Sequence, residues 1–270
     1  MHQRLLQAGA CKAGCVTKAR LAPYLDGERL RRAEELCPGW QSLLCAAFPY
    51  GGQEVPSRIS RYARGADYHA VLRARLEQAA ADLQGQLPQN RFVFCADVSP
   101  FPEVTAAALA GLGKVGKHHL LITDTAGSMV FLGFLLTDAL LPDTGGEILS
   151  CEGCGACQTA CPGGALVCGP LQEDRCLSAL TQKRGTLTGQ QTALVKQGGL
   201  LWGCDRCQLA CPHNGRITAP PLPEFAPLPD PDGEDLQLSD RQFRRQFAGR
   251  AFVWRGVQPL RRNFEILKEE

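Results

Sequence analysis

Cys151-Glu152-Gly153-Cys154-Gly155-Ala156-Cys157-Gln158-Thr159-Ala160-Cys161-Pro162 decides what kind of protein this is. The spacing C-x2-C-x2-C-x3-C-P is that of bacterial ferredoxins, in which three thiolates hold one four-iron cubane and the fourth crosses to a neighbouring cluster. A second run repeats its end: Cys157-Gln158-Thr159-Ala160-Cys161-Pro162 returns as Cys207-Gln208-Leu209-Ala210-Cys211-Pro212, with Cys204 ahead of it. The second run lacks one local ligand, and Cys176 is the cysteine placed to supply it. The crossing rule then predicts Cys151, Cys154, Cys157 and Cys211 on one 4Fe-4S cluster, and Cys176, Cys204, Cys207 and Cys161 on the other. Two such clusters imply electron transfer. Structural zinc also uses C-x2-C pairs, but it has no use for a third cysteine directly following or for a cross-paired fourth.

The rest of the composition narrows the class. At 270 residues, with 44% hydrophobic and 21% charged residues, the chain has room for one sizeable core plus a smaller cluster module. Fourteen cysteines could signal disulfides, but Met1 to Leu21 holds no apolar signal core and the spacing is that of metal ligands. The expected compartment is therefore reducing and cytoplasmic. The longest apolar run, Met129 to Leu136, is far short of the ~20 residues a membrane helix needs, and it reads as a buried strand. Cys11, Cys15, Cys37, Cys45, Cys95 and Cys168 share no ligand spacing and read as small buried hydrophobes. A net charge of +2 argues for no particular partner.

Three regions follow along the chain: an α+β core over 1–146, a ferredoxin-like double-cluster module over 147–219, and a Pro-rich connector with a basic segment over 220–270. Within the core, Leu43 to Phe48 and Arg91 to Ala96 are short apolar runs that suit buried strands. Leu72, Leu76, Ala79 or Ala80, and Leu83 recur at helical spacing between them. Val104 to Ala110 is expected as a second helix, and His119 to Thr123 and Ser128 to Thr137 as further strands. Gly111-Leu112-Gly113-Lys114-Val115-Gly116-Lys117 matches G-x-G-x-x-G, yet a nucleotide loop needs a strand before it and a helix after it. Here the order is reversed and His118 follows the lysine, so the expectation is a glycine-rich helix exit against which a flat ligand packs.

Several segments together resemble the epoxyqueuosine reductase family, cobalamin-dependent iron-sulfur enzymes related to reductive dehalogenases. They are Cys45-Ala46-Ala47-Phe48-Pro49-Tyr50, Arg61-Tyr62-Ala63-Arg64-Gly65-Ala66-Asp67-Tyr68-His69, Asp97-x-x-Pro100-x-x-Glu103, Ala110-Gly111-Leu112-Gly113, Gly116-Lys117, Leu132-Gly133, Leu136-Thr137-Asp138 and both cysteine motifs. The resemblance implies a cobalamin between the α+β core and the cluster module, reduced through the clusters, and an aspartic acid beside the corrin as proton donor. Asp97 matches that aspartate, at the end of an expected strand. To donate at neutral pH its pKa must rise from ~3.9 toward ~7, which dry burial could supply. Hydrogen bonding to the turn before Pro100 is the plainer role for the same side chain. By motif match, Ser60, Arg61, Tyr62, Lys117, Gly133, Thr137 and Asp138 are placed around corrin or substrate; for Arg61 and Lys117 a solvated surface charge is the competing reading.

The function so implied is an oxidoreductase that removes the epoxide oxygen of epoxyqueuosine in transfer RNA, fed by a ferredoxin- or flavodoxin-type donor. The expected state is a monomer away from any membrane. Two departures stand out. Family members carry a helical-repeat domain after the reductase core, where this sequence stops at Glu270, and His118-His119 stand where Asn-Thr is expected. A same-core reductase for another small substrate, and a two-cluster electron carrier without catalysis, are the alternatives. Arg241, Arg244, Arg245, Arg250, Arg255, Arg261 and Arg262, interleaved with Phe243, Phe247, Phe252 and Trp254, could contact RNA. An amphipathic helix with Phe243 and Phe247 docked and its arginines solvated is the favoured reading.

Overall fold

The computed structural model describes residues 1–52, 55–95, 99–167 and 169–268. They form two compact units. The first is Met1–Gly51, His69–Gly153 and Arg216–Leu222; the second is Gly52–Tyr68, Cys154–Gly215 and Pro223–Glu270. The partition therefore does not run along the chain as 1–146, 147–219 and 220–270: residues 55–68 and 223–268 belong with Cys154–Gly215.

The first unit contains helices α1 (His2–Gln7), α2 (Lys18–Leu21), α3 (Gly27–Leu36), α4 (Tyr68–Gln86, but for its first residue) and α5 (Glu103–Leu109). Its strands are β1 (Lys12–Thr17), β2 (Ser42–Pro49), β3 (Phe92–Cys95), β4 (Lys114–Val115), β5 (Leu121–Ile122) and β6 (Val130–Thr137). Four strands make an antiparallel sheet in the order β1-β2-β6-β3. All eight residues of β2 are buried, because both faces of the sheet are covered. Leu43, Cys45 and Ala47, opposite Leu136, Phe134 and Leu132, join the core that contains the alanines of α5. On the other face, Gly133 lies against Leu72 and Leu76 of α4. The helical spacing of the sequence holds, with Leu72, Leu76, Ala79 and Leu83 the buried residues of α4.

The segment His119 to Thr123 departs from expectation. Only Leu121–Ile122 is extended, and it pairs with Lys114–Val115 in a separate two-stranded ribbon. His119 has φ 63, in the left-handed region, so the two histidines lie in a turn instead of alternating along a strand. His118 is buried and His119 exposed.

The second unit holds α6 (Ala156–Thr159), α7 (Leu177–Gln182), α8 (Gly189–Gly198), α9 (Arg206–Leu209), α10 (Asp240–Gln246) and α11 (Gln258–Lys268). Thr188 with Gln191, and Ser239 with Gln242, form capping boxes that start α8 and α10. Phe243 and Phe252 are wholly buried with Trp202, Ile59 and Leu260, and Phe247 packs on them. The aromatic residues of the basic segment are thus mostly core, as the amphipathic-helix reading requires; Trp254 remains 53% exposed. Arg250 departs from that reading, being buried, with its guanidinium donating to the carbonyls of Pro229 and Arg64. Asn263, also buried, donates to the carbonyls of Thr181 and Leu201 and so ties α11 to the cysteine module. Among the described residues no helix is long and apolar enough to cross a membrane.

Candidate iron-sulfur site

The internal duplication of the sequence is also a duplication of backbone. Cys157 and Cys207 occupy the second position of α6 and α9, two four-residue helices. These end at Ala160 and Ala210 with nearly equal dihedrals, φ −78, ψ −10 and φ −76, ψ −13. Each helix turns its motif's middle and last cysteines around one short segment, which is how a ferredoxin half-site presents sulfur.

Cys176 reaches the site through a close approach that the spacing does not reveal. A Cβ on Gly163, just past Cys161-Pro162, would stand 1.9 Å from the carbonyl oxygen of Arg175. Only glycine lets the residue before Cys176 lie against the end of the first motif. The consequence is electrostatic: Cys207 feels the thiols of Cys204, Cys176, Cys161 and Cys157. Burial first, and those neighbouring thiols after it, push Cys207 up to about 12. Burial likewise pushes Cys204 up to about 11. The Ala165 amide donates to Cys161 Sγ at 3.3 Å, the kind of N–H···S bond that tunes cluster potentials.

All described cysteines are free thiols, so the gathered set is a soft sulfur donor set with no competing disulfide. Among the described residues no three His, Cys, Asp or Glu side chains converge on one metal ion. A cubane spreads its thiolates over four irons, so convergence on a single point is not its signature. The thiols gathered at Cys157, Cys161, Cys176, Cys204 and Cys207 have the chemistry an iron-sulfur cluster needs. Cys151 belongs to the first unit and the other seven expected ligands to the second.

Lys114–Val115 supports the first ligand. Val115 donates to the Leu149 carbonyl and accepts from the Cys151 amide, while Lys114 pairs with Glu152. Lys117 is exposed, with its Cε 3.4 Å from where a Gly153 side chain would begin. In the glycine-rich segment, Gly113 and Gly116 have no room for a side chain. Their Cβ positions lie 2.2 Å from the Ile122 carbonyl oxygen and 2.4 Å from the His118 ring. These glycines close the ribbon on itself. Sequence reading missed this role because pairing between residues 114–115 and 121–122 leaves no ligand-type signature.

The remaining expected contacts divide. Gly133 meets α4, where a Cβ would stand 2.6 Å from Leu76 Cδ1. Thr137 is wholly buried and its hydroxyl accepts from the Ala139 amide. Asp138 accepts from Asn90, from the Arg91 amide and from the Arg91 guanidinium, the amide bond chiefly holding its carboxyl below the usual range. These three groups are committed to the fold. Thr137 also lies opposite Phe92 at one end of β3, whereas the chain leaves toward Asp97 from the other end, where Cys95 lies opposite Phe134. Asp97 and Cys168 lie outside the described residues. Beyond Asp97 the chain is anchored by Ser99, whose hydroxyl donates to Glu103 at 2.9 Å. Ser60, Arg61 and Tyr62 lie in the second unit against the second cysteine motif: the Ser60 amide donates to the Trp202 carbonyl, and the Trp202 indole to the Tyr62 hydroxyl.

The chain is similar to known proteins in sequence and in fold. Residues 31–98 match the family model described as Epoxyqueuosine reductase QueG, DUF1730, and residues 150–214 match the 4Fe-4S double cluster binding domain. An epoxyqueuosine reductase of Gloeobacter violaceus is 35% identical over 257 residues, covering 89% of this chain and 80% of that protein. The chain belongs to the epoxyqueuosine reductase family. The epoxyqueuosine reductase of Lactococcus garvieae is 34% identical over 229 residues, 80% of this chain and 65% of the relative. The chain thus spans about two thirds of the length of such relatives. A crystal structure of a selenomethionine-labelled epoxyqueuosine reductase superposes with a TM-score of 0.83 at 28% identity, over 98% of this chain and 79% of the other. An epoxyqueuosine reductase crystallised with an epoxyqueuosine-modified tRNA-Tyr stem loop gives the same values. A Bacillus subtilis epoxyqueuosine reductase, described with its catalytic aspartate loop swung out of the active site, gives 0.82 at 28%, over 98% and 79%.

Proposed function

We propose that this chain is an oxidoreductase of the epoxyqueuosine type, reducing epoxyqueuosine to queuosine in transfer RNA with electrons delivered through two 4Fe-4S clusters. The observation that carries the reading is the gathering of Cys157, Cys161, Cys176 and Cys204 around Cys207 from separate stretches of chain, which the crossing of ligands between two clusters would produce. Family membership supplies the substrate class, and the relative with a modified stem loop supports RNA as partner. A ferredoxin- or flavodoxin-type protein is the proposed electron donor.

Cobalamin belongs to the proposal on family grounds. When bound it supplies a low-potential centre able to attack the substrate. The described residues do not by themselves make its cradle, since the groups at Gly133, Thr137 and Asp138 are taken up by the fold. By motif match, Arg61 and Lys117 are the cationic side chains proposed to meet anionic groups of corrin or substrate. Asp97 is, by motif match, the proposed proton donor to the oxygen leaving the epoxide carbon.

The test is anaerobic reconstitution with iron, sulfide and cobalamin, followed by turnover of an epoxyqueuosine-modified stem loop. About eight irons, retained corrin and appearance of queuosine are expected, with turnover lost in Asp97→Asn. Eight irons without corrin or product would refute the enzyme reading in favour of an electron carrier.

A further inference from the structure

The short helices of the two cysteine motifs end alike, but they differ at the residue that opens each of them. In the first motif it is Gly155, at φ 78; in the second it is Asp205, at φ −111 and ψ 5. The second motif forms its turn without a left-handed residue and thereby admits a side chain between two cluster ligands. That side chain is 7% exposed, and it is fully engaged. One oxygen accepts from the Ser60 hydroxyl and the other from the Arg61 amide at 2.8 Å. Ser60 is itself 1% exposed.

The same segment is gripped from both sides of Cys204. The Ser60 amide donates to the Trp202 carbonyl at 2.8 Å, and the Trp202 indole donates to the Tyr62 hydroxyl at 2.8 Å. A Cβ on Gly203 would stand 2.3 Å from Ser60 Cβ, so only glycine allows this approach. Residues 202, 203 and 205 therefore hold residues 60–62 against the backbone on either side of Cys204. Both donors to Asp205 are neutral groups, so neither brings a counter-charge to the carboxyl group beside Cys204. Arg206, next along, turns its guanidinium to the Gly198 carbonyl.

We propose that Asp205 is a positioning residue: it fastens residues 60–62 to the loop of the second cluster, and its buried charge biases that cluster against accepting an electron. The proposal rests on the cluster reading above. A fixed negative charge close to a cluster opposes reduction, and the effect is strongest where water is excluded.

The test uses the full chain reconstituted with iron and sulfide, comparing wild type with Asp205→Asn, Asp205→Ala and Ser60→Ala. Two quantities are read besides iron content: the reduction midpoint of each cluster by paramagnetic resonance, and hydrogen exchange at the Arg61 amide. Asp205→Asn keeps an acceptor but loses the charge. The second cluster should become easier to reduce by about tenfold in its equilibrium, about 59 mV for one electron. Asp205→Ala should in addition speed Arg61 amide exchange at least about tenfold. Ser60→Ala leaves the charge, so its midpoint should stay at the wild-type value while exchange quickens; this arm carries the positioning claim should Asp205→Ala fail to hold iron. Eight irons with unchanged midpoint in Asp205→Asn overturn the charge role, and unchanged Arg61 exchange in Asp205→Ala or Ser60→Ala overturns the fastening role. Wild-type protein that takes up no iron overturns the cluster reading itself and this proposal with it.

Discussion

Replacing Cys161 by serine should abolish the cluster of the other motif. Cys161 closes the first run, yet its electrostatic neighbours include Cys207 and, through it, Cys204 and Cys176. Cys161→Ser and Cys176→Ser should therefore erase the same paramagnetic signal, while Cys211→Ser and Cys154→Ser should erase the other. Burial, with the neighbouring thiols, holds Cys207 at about 12, about 3 pKa units above an ordinary thiol. That corresponds to about 4 kcal/mol against its thiolate. Bound iron normally offsets this by coordinating the sulfur. With one corner of the cubane lost, the remaining buried thiols keep their cost of ionisation and lose part of what offset it. The site should then empty instead of holding a weakened cubane.

Iron should fall from about eight to about four per chain in each variant. The assay is anaerobic reconstitution, iron and sulfide counting, and resonance spectra of the dithionite-reduced protein. The decisive comparison is between variants. If Cys161→Ser erases the signal that Cys154→Ser erases, and Cys176→Ser erases the other, the crossed assignment is wrong and each motif keeps its own sulfur.

Further expectations concern the scaffold. Phe243→Ala, at a wholly buried position, should cost about 3–5 kcal/mol in chemical unfolding, whereas Trp254→Ala, at a 53% exposed one, should cost under about 1 kcal/mol. Equal losses would contradict the division of the tail into core and surface. Burial works to raise the Asp143 carboxyl, but hydrogen bonds from the Thr17 and Gly145 amides and from Arg20 outweigh it and hold the group below its usual range. A depressed pKa contributes stability that is fully present above ~3.9 and is lost as pH falls through the folded value. Asp143→Asn should therefore lower Tm at pH 7 and flatten its decline below about pH 4; an unchanged acid limb in thermal scans would refute this. Burial raises Cys15 and Cys95 to about 12, so both should alkylate about a thousandfold more slowly than an ordinary thiol at pH 8. Exposed Cys154 should react readily in metal-free protein and be shielded once iron is bound, as mass spectrometry of labelled peptides would show.

What could be read from the sequence was what has a period or a ligand spacing. Leu72, Leu76, Ala79 and Leu83 recur at helical spacing because a helix on one face of a sheet buries one stripe, and that stripe is buried. Both cysteine runs were legible because a cubane fixes its ligand spacing, and the repeated Cys-Gln-x-Ala-Cys-Pro recurs as two nearly superposable turns. Edge strand β1 carries Gly14 and Cys15 with little alternation, so its pairing with β2 left no sequence mark. The fate of the Arg-rich tail was half legible: Phe243 and Phe247 lie four residues apart, as a docked helix requires, but nothing local marks Arg250 as a buried donor to Pro229 and Arg64.

Motif matching conveys which residues matter without conveying why, and the expected corrin contacts show the difference. Gly133, Thr137 and Asp138 stand in a recognisable segment, yet each answers to a neighbour within the first unit: Leu76, Ala139 and Arg91. Ser60 answers to Asp205, in the loop that carries two cluster ligands. Each dependence is a close approach or a hydrogen bond between distant stretches, and such a contact has no period. A segment shared with a family can therefore mark the packing that positions a site as readily as the site. The two are separated by asking which groups the fold has already used. By that criterion Lys117, which is exposed, is the motif position whose charged end reaches solvent, and Asp205, inside the second cysteine motif but not itself an expected ligand, is the residue that fixes the Arg61 amide.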